Sequence, residues 1–405
     1  MREKWMKQII IFLAGQTITL FGSTVVQFAI SWHVTLTTQS GLLLALSTIC
    51  GFLPQLLISP FAGVWADRFN RKIIIILSDG MIATVTLFMA LYFATGNTNI
   101  ILLFAVSAVR SVGTGIQMPA TRALLPTMAP ADKLMRINGL HSSLISIMML
   151  LSPAVAGTLL QFTGMGPIFM VDVITALVGI AFMITLKIPR INQQEPSLHP
   201  HILSDMLSGL RYTGQTKWLK QLLIFYLFFA LSVGPVVFLV PIMITHNFGN
   251  ESWMLTLHEM VFSVGSIIGG LSIGLIAKRL GSGIRLLIVC CTSFGLTTLL
   301  LGFSPNYWLF LGIILPLGFF MPLIETTFTT IIQTHAAPEL LGRVFGLVTI
   351  IGSSAMPLST AIFGPLADYI NMKVLLLFTG IIMVGLSLMI TRFKAITSIS
   401  SPKIG

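Results

Sequence analysis

The sequence has very little charge for its length. Only 9% of its 405 residues are Asp, Glu, Lys or Arg, whereas soluble globular proteins carry about 25%. Hydrophobic residues make up 55% of the chain, so it would precipitate unless lipid were its solvent. We therefore exclude a soluble domain and predict an all-α integral membrane protein.

The chain also lacks the motifs of common enzyme sites. It has no phosphate-binding G-x-x-x-x-G-K-[ST] loop and no H-E-x-x-H metal motif. The glycines on either side of Ser272 match the spacing of a G-x-S-x-G nucleophile elbow, but they lie inside a predicted span and are better explained by close helix packing. Its three cysteines, Cys50, Cys290 and Cys291, lie in apolar stretches without metal-site spacing, and we expect them to be buried and reduced. We predict neither an enzyme nor a bound cofactor or metal.

Long apolar runs, separated by turn residues, divide the chain into twelve predicted membrane spans. About 20 apolar residues are enough to cross a bilayer core of roughly 30 Å. The predicted limits are 8–34, 42–65, 73–95, 100–120, 137–161, 166–187, 219–245, 253–277, 284–303, 306–334, 344–366 and 372–392.

The basic residues are confined mainly to alternate loops. TTQSG, TGNTN and QFTGMGP contain no Lys or Arg, whereas the intervening loops are basic. The positive-inside rule then places both termini of this multi-pass chain in the cytoplasm. The net charge of +11 does not indicate nucleic acid, because the charges form no basic stripe interleaved with aromatics.

The two halves of the sequence repeat each other. Arg136 and Arg343 are separated by 207 positions, and the same separation relates Gly157 to Gly364. We predict two six-helix bundles with the same membrane orientation. The predicted boundaries are 1–187 for the first bundle, 188–218 for a linker, 219–393 for the second bundle and 394–405 for a cytoplasmic tail.

The linker carries one apolar stripe at helical spacing. The stripe consists of Ile202, Leu203, Met206, Leu207 and Leu210. We expect an amphipathic helix on the cytoplasmic membrane surface, in contact with lipid headgroups. A helix that binds a partner protein is the alternative.

Five ionisable residues inside the spans need a physical reason, because each costs roughly 2.5–3.5 kcal/mol at a helix centre. They are Arg110, Glu325, Glu259, Asp172 and Asp79. A carboxylate in an apolar cavity can load and release a proton, so we predict that this set exchanges protons and acts as a proton-coupling device. Structural pairing is the alternative, and we favour it for Asp79 and Asp172.

The stretch GVWADRFNRK, from Gly63 to Lys72, lies in a tight turn between two spans. Its G-x-x-x-D-R-x-x-R-K spacing resembles the loop between the second and third helices of major facilitator superfamily transporters. AGQTITL, VVQFAI, GFLP, RSVGTGIQMPA, SPAVAG and PELLGRVFGL resemble the macrolide-efflux branch of that superfamily. The resemblance implies the major facilitator fold, with twelve transmembrane helices in two six-helix repeats, and multidrug efflux by proton antiport, a route to antibiotic resistance.

In this superfamily, the first, fourth, seventh and tenth helices line a central cavity. The resemblance therefore implies substrate-binding roles for Gln16, Gln27, Arg110, Phe225, Tyr226, Phe238 and Glu325. Helix breakers and the basic turn give a predicted conformational switch made of Gly63, Asp67, Arg68, Arg71, Lys72, Pro153, Gly157 and Arg343. Two features depart from the family pattern: Gly157 stands alone after Ser152-Pro153, and Lys278 replaces the Asp in the second half.

We thus predict a monomeric secondary transporter that exports hydrophobic or amphiphilic compounds, such as macrolides, by alternating access. Its expected partners are a small amphiphilic substrate, protons and membrane lipid. An exporter of an endogenous lipid or siderophore is the alternative within this class. A receptor or scaffold that transports nothing is the alternative from another class.

Overall fold

The computed structural model describes residues 2–128, 133–186, 210–280, 283–337 and 340–397. Within these ranges, twelve helices are long and apolar enough to cross a membrane. They are α1 (Arg2–Thr38), α2 (Gly41–Arg68), α3 (Arg71–Ala94), α4 (Ile100–Met128), α5 (Leu134–Phe162), α6 (Met165–Thr185), α7 (Lys217–Asn247), α8 (Ser252–Leu280), α9 (Ile284–Gly302), α10 (Tyr307–His335), α11 (Leu341–Tyr369) and α12 (Met372–Ile390). A short helix, α13 (Lys394–Thr397), follows them.

The twelve predicted spans are confirmed, but several helices are longer than predicted. α2 continues to Arg68 and α3 begins at Arg71, so most of the GVWADRFNRK stretch is helical. Residues 64–68 contain neither Gly nor Pro to end α2 earlier. Asn70 then begins α3, because its side-chain oxygen accepts a hydrogen bond from the Lys72 backbone amide at 3.0 Å.

The chain forms two compact units, and each is described by itself. Unit 1 consists of Met1–Gln39, Leu46–Ser197 and Glu251–Leu257, and unit 2 consists of Ser40–Ala45, Leu198–Asn250 and His258–Gly405.

Helix pairing is the same in both units. In unit 1, α1 packs against α5 and α6, and α3 packs against α4 and α6. In unit 2, α7 packs against α11 and α12, and α9 packs against α10 and α12. Each pairing recurs six helices later, and this confirms the predicted pair of six-helix repeats.

The predicted linker falls mostly outside the described residues. Four of the five residues of the apolar stripe lie outside the described ranges: Ile202, Leu203, Met206 and Leu207. The fifth, Leu210, is described and exposed. The boundaries of the linker and the tail stay predictions.

Glycines let α8 and α10 approach each other closely inside unit 2. A Cβ atom at Gly265 or Gly269 would meet the backbone carbonyl of Leu315 or Phe319, and one at Gly318 would meet that of Phe262. Such contacts are typical of small residues between membrane helices. The neighbouring Gly270 faces open space, so close helix packing does not explain that glycine.

These two adjacent glycines give a matched test. We expect Gly269→Ala to lower stability by about 1–3 kcal/mol, because its methyl group overlaps the Phe319 backbone. Gly270→Ala has no such contact and should leave stability unchanged or raise it by up to about 1 kcal/mol through helix propensity. Thermal unfolding of the detergent-solubilised protein measures both, and equal melting temperatures would contradict the packing described here.

Candidate functional site

A buried ion pair lies among the helices of unit 1. The Arg110 guanidinium on α4 donates hydrogen bonds to the Asp172 carboxylate on α6 and to the Thr86 hydroxyl on α3. Ser23 on α1 and Thr86 also donate to Asp172, at 2.9 Å and 3.2 Å. Asp172 thus has three hydrogen-bond donors, one of them a cation, and the two opposite charges cancel.

Burial makes this pair costly to break. Arg110 is 6% exposed and Asp172 is fully buried. A single charge left in such a site is penalised by several kcal/mol, because no water solvates it. The pair therefore fixes α3, α4 and α6 to one another through their side chains.

A second buried carboxylate in unit 1 is much less well satisfied. The Asp79 Oδ1 atom on α3 accepts one hydrogen bond, from the Gln117 amide on α4, at 2.6 Å. Its Oδ2 atom has no hydrogen-bond partner among the described residues. Asp79 is fully buried, whereas Gln117 is half-buried.

Gln16 and Gln27, both on α1, also lie in unit 1. The Gln16 side-chain oxygen accepts a hydrogen bond from Thr121 at 3.2 Å, while its Nε2 has no partner among the described residues. Gln27 is half-buried and packs beside Gly51, where a Cβ atom would lie 3.1 Å from its side-chain nitrogen.

In unit 2, an exposed acid lies near a pair of stacked rings. Tyr226 on α7 stacks on Phe328 on α10, with ring centroids 4.3 Å apart and planes inclined by 20°. Glu325 is exposed and stands three residues before Phe328, so the two side chains lie on the same face of α10. This part of unit 2 thus combines an aromatic surface with a negative charge.

The other predicted aromatic contacts are buried. Phe225 and Phe238 are each 3% exposed. Phe225 packs against Phe229, which in turn packs against Phe294. Both side chains lie in the interior of unit 2.

Glu259 lies beside a buried histidine. Its carboxylate is 3.8 Å from the His258 ring nitrogen, and its side chain is 22% exposed. The His258 ring packs against Phe310.

Two of the predicted switch residues hold helix ends together in unit 1. Arg71 donates to the backbone carbonyls of Ala66 and Ala123, each at 2.8 Å. Lys72 donates to the carbonyls of Ile184 and Leu186 at the end of α6, each at 2.8 Å. Lys72 satisfies carbonyls at the end of α6 that lack intrahelical partners, whereas Arg71 ties the end of α2 to Ala123, five residues before the end of α4.

The remaining switch residues have varied surroundings. Arg68 and Arg343 are exposed, the side chain of Asp67 lies outside the described part, and a Cβ atom at Gly63 would meet open space. Pro153 is buried within α5. One turn further on, a Cβ atom at Gly157 would overlap the Thr256 hydroxyl and approach the Trp32 ring to 3.2 Å.

The sequence reasoning missed several polar residues. The sequence does not single out Gln117, Thr86 and Ser23, because neutral polar residues inside spans have no distinctive sequence pattern. Asp368 was also missed, although Gly364-x-x-x-Asp368 repeats the spacing of Gly63-x-x-x-Asp67.

Within unit 2, Asp368 caps the start of α2. Its carboxylate accepts hydrogen bonds from the backbone amides of Gly41 and Leu42, at 2.6 Å and 3.1 Å, and from the Ser40 hydroxyl at 3.0 Å. A carboxylate at this position satisfies amides that the first turn of a helix leaves unpaired, and it complements the helix dipole.

Twelve apolar helices in two repeats, with a few ionisable side chains among them, define a multi-pass membrane transporter. The profile described as Major Facilitator Superfamily matches residues 9–360, and the chain belongs to this family. It is a bacterial membrane protein and not an enzyme.

Individual relatives extend over most of the chain. Macrolide efflux protein A of Streptococcus pyogenes is 28% identical over 95% of this chain and 96% of its own length. The Staphyloferrin A transporter of Staphylococcus aureus is 22% identical over 87% of this chain and 89% of its own length. In fold, the chain is similar to a POT family transporter solved in complex with a thioalcohol-conjugated peptide, with a TM-score of 0.74, 11% identity and coverage of 98% and 97% of the two chains.

The buried ion pair gives a prediction for stability. We expect Arg110→Met to destabilise the protein by about 3–5 kcal/mol, because it leaves the Asp172 carboxylate buried without its cation. The double variant Arg110→Met/Asp172→Leu should recover much of that loss, because neither charge remains. The control is Arg122→Met, which removes an exposed arginine of the same helix and should change little. Thermal unfolding of the purified protein measures all three, and a double variant no more stable than Arg110→Met would contradict a coupled pair.

Proposed function

We propose that this transporter exports hydrophobic or amphiphilic compounds that carry a basic group, macrolides among them, by alternating access and in exchange for protons. Similarity to Macrolide efflux protein A along nearly the whole of both chains supports efflux of this kind. The observation that carries the cargo proposal is the exposed Glu325 carboxylate near the Tyr226–Phe328 stack.

The chemistry of this part of unit 2 matches such a cargo. Aromatic faces bind apolar rings and attract cations, and a carboxylate accepts a charge-assisted hydrogen bond from a protonated amine. Within unit 2, we assign substrate contact to Glu325 and Tyr226. Within unit 1, Gln16 and Gln27 stay candidates for substrate contact, whereas Arg110 is buried and paired with Asp172 and would contact a substrate only after that pair rearranges. The deeply buried Phe225 and Phe238 would contribute only after a rearrangement of their packing.

An anionic siderophore is the rival cargo, because one relative is named a Staphyloferrin A transporter. An anion would need an available cation inside the bundle. Arg110, the one Lys or Arg predicted near the middle of a span, is already paired with Asp172. This pairing favours a neutral or basic cargo.

For coupling, we propose that one of the carboxylates inside the spans (Glu325, Glu259, Asp79 or Asp172) exchanges the proton, and that Arg110 takes part through its pair with Asp172. The conformational change would involve the α2–α3 turn with Gly63, Asp67, Arg68, Arg71 and Lys72, the bend at Pro153 and Gly157, and Arg343. The charge pattern of the loops supports cytoplasmic termini. We propose a monomer as the working unit.

The test is energised uptake of radiolabelled erythromycin, a macrolide with a tertiary amine, into inverted membrane vesicles. We expect Glu325→Gln to weaken the apparent affinity about ten- to a hundredfold, because a hydrogen bond to a charged group is worth about 1.5–3 kcal/mol. Glu251→Gln, which neutralises an exposed acid just before α8, is the matched control and should behave as wild type.

A panel of uncharged amphiphiles separates cargo binding from coupling. If Glu325 recognises the amine, uptake of uncharged compounds should survive Glu325→Gln. If Glu325 is needed for coupling, gradient-driven uptake of every compound should fall. Unchanged uptake of all compounds would defeat both roles, and a wild-type protein that transports none of them would defeat the proposed cargo class.

A further inference from the structure

The three helices α3, α4 and α6 hold an unequal set of buried charges. Their charged residues are Arg71, Lys72, Asp79, Arg110, Arg122 and Asp172. Arg71 and Lys72 lie in the first turn of α3 and bind backbone carbonyls, and Arg122 is exposed. One buried cation therefore faces two buried carboxylates.

Arg110 is committed to one of these carboxylates. Asp172 accepts from Arg110, Thr86 and Ser23, whereas Asp79 accepts, among the residues that the structure describes, only from the neutral Gln117 amide. Thr86 and Arg110 each lie seven residues from Asp79 and Gln117, so the two carboxylate sites are about 10 Å apart along the helices. Asp79 has its own position and does not share the cation.

With Asp79 ionised, the buried side chains of α3, α4 and α6 would carry one uncompensated negative charge, because Arg110 already balances Asp172. With a proton on the unpartnered Oδ2 atom of Asp79, the same set of buried side chains is neutral. Burial of an unpaired ion is far more costly than burial of a neutral carboxylic acid. Asp172, with its cation and two hydroxyl donors, has no such reason to take a proton.

A polar path leads away from Asp79 along α4. Gln117 is half-buried, and Thr121 lies one turn further along the same face, about 6 Å away, where it donates to Gln16. The Gln16 Nε2 atom, also without a partner among the described residues, lies on this path. Water that reaches these amides could deliver a proton to Asp79 or remove one.

We propose that Asp79 binds the transported proton, that Gln117 positions its carboxylate, and that the Arg110–Asp172 pair stays ionised throughout the transport cycle. The proton adds to Oδ2 of the ionised carboxylate in one access state and leaves to water in the other. No other bond forms or breaks, and the total charge of Asp79, Arg110 and Asp172 changes by one unit. This inference rests on the proposed proton coupling and identifies the group that carries it out.

The test compares two assays of purified protein in proteoliposomes with radiolabelled erythromycin as the probe. One assay is accumulation in a pH gradient, and the other is counterflow, which exchanges labelled for unlabelled erythromycin without a gradient. In a gradient of about one pH unit, exchange of one proton supports up to about tenfold accumulation. We expect this for wild type, whereas Asp79→Asn should only equilibrate erythromycin while still catalysing counterflow.

Asp172→Asn is the matched control, because it makes the same chemical change at the paired carboxylate. It leaves the Arg110 charge without its counter-ion, so it should impair counterflow and accumulation together. Accumulation by Asp79→Asn at the wild-type level would overturn the inference. Counterflow without accumulation by the wild-type protein would instead show that the proposed proton coupling is wrong, and the inference would fall with it.

A second variant gives a readout that does not depend on any substitution of Asp79. Gln117→Leu removes the donor to the Asp79 carboxylate and favours its protonated form, so the pH profile of erythromycin transport should move to higher pH. Gln55→Leu is the control, because the Gln55 side-chain amide donates to the Met118 sulfur, at 3.7 Å, and not to a carboxylate of the described residues. An unchanged pH profile for Gln117→Leu would overturn the positioning role of Gln117.

Discussion

The free-energy cost of burying a charge among helices that are surrounded by lipid governs how the interior of this protein is arranged. Arg110 and Asp172 are tolerated because they face each other and because Thr86 and Ser23 complete their hydrogen bonds. Four helices contribute to this one cluster, so it ties the interior of unit 1 together. Every other buried ionisable group must either find a comparable partner or be neutral, and that requirement separates Asp79 from Asp172.

The two units share one pattern of helix pairing but contain different functional side chains. Unit 1 contains the ion pair and a row of neutral amides on α1 and α4, whereas unit 2 presents Glu325 and the Tyr226–Phe328 stack. This difference fits the roles proposed above, in which Asp79 of unit 1 binds the proton and Glu325 of unit 2 contacts the cargo. The packing of the repeats themselves depends on small residues such as Gly265 and Gly269, which bring helix backbones into contact.

The sequence predicted the architecture well because its signals are local. Apolar runs of sufficient length gave the twelve spans, and matched residues 207 positions apart indicated the duplication that the helix pairing confirms. The tight turn of GVWADRFNRK was predicted too broadly, because only Phe69 and Asn70 lie between α2 and α3. Charged residues inside spans pointed to candidate functional positions, since each is expensive in lipid.

The sequence by itself determined which residues are exceptional, because composition and hydropathy need no knowledge of neighbours. Only the tertiary structure decided their partners: that Arg110 pairs with Asp172, 62 positions away, and that Asp79 receives a single amide. It also decided that Gly269 meets a backbone while Gly270 does not. The physical reason is that hydrogen bonds and close packing depend on which helix faces meet, and helices far apart in the sequence supply those faces.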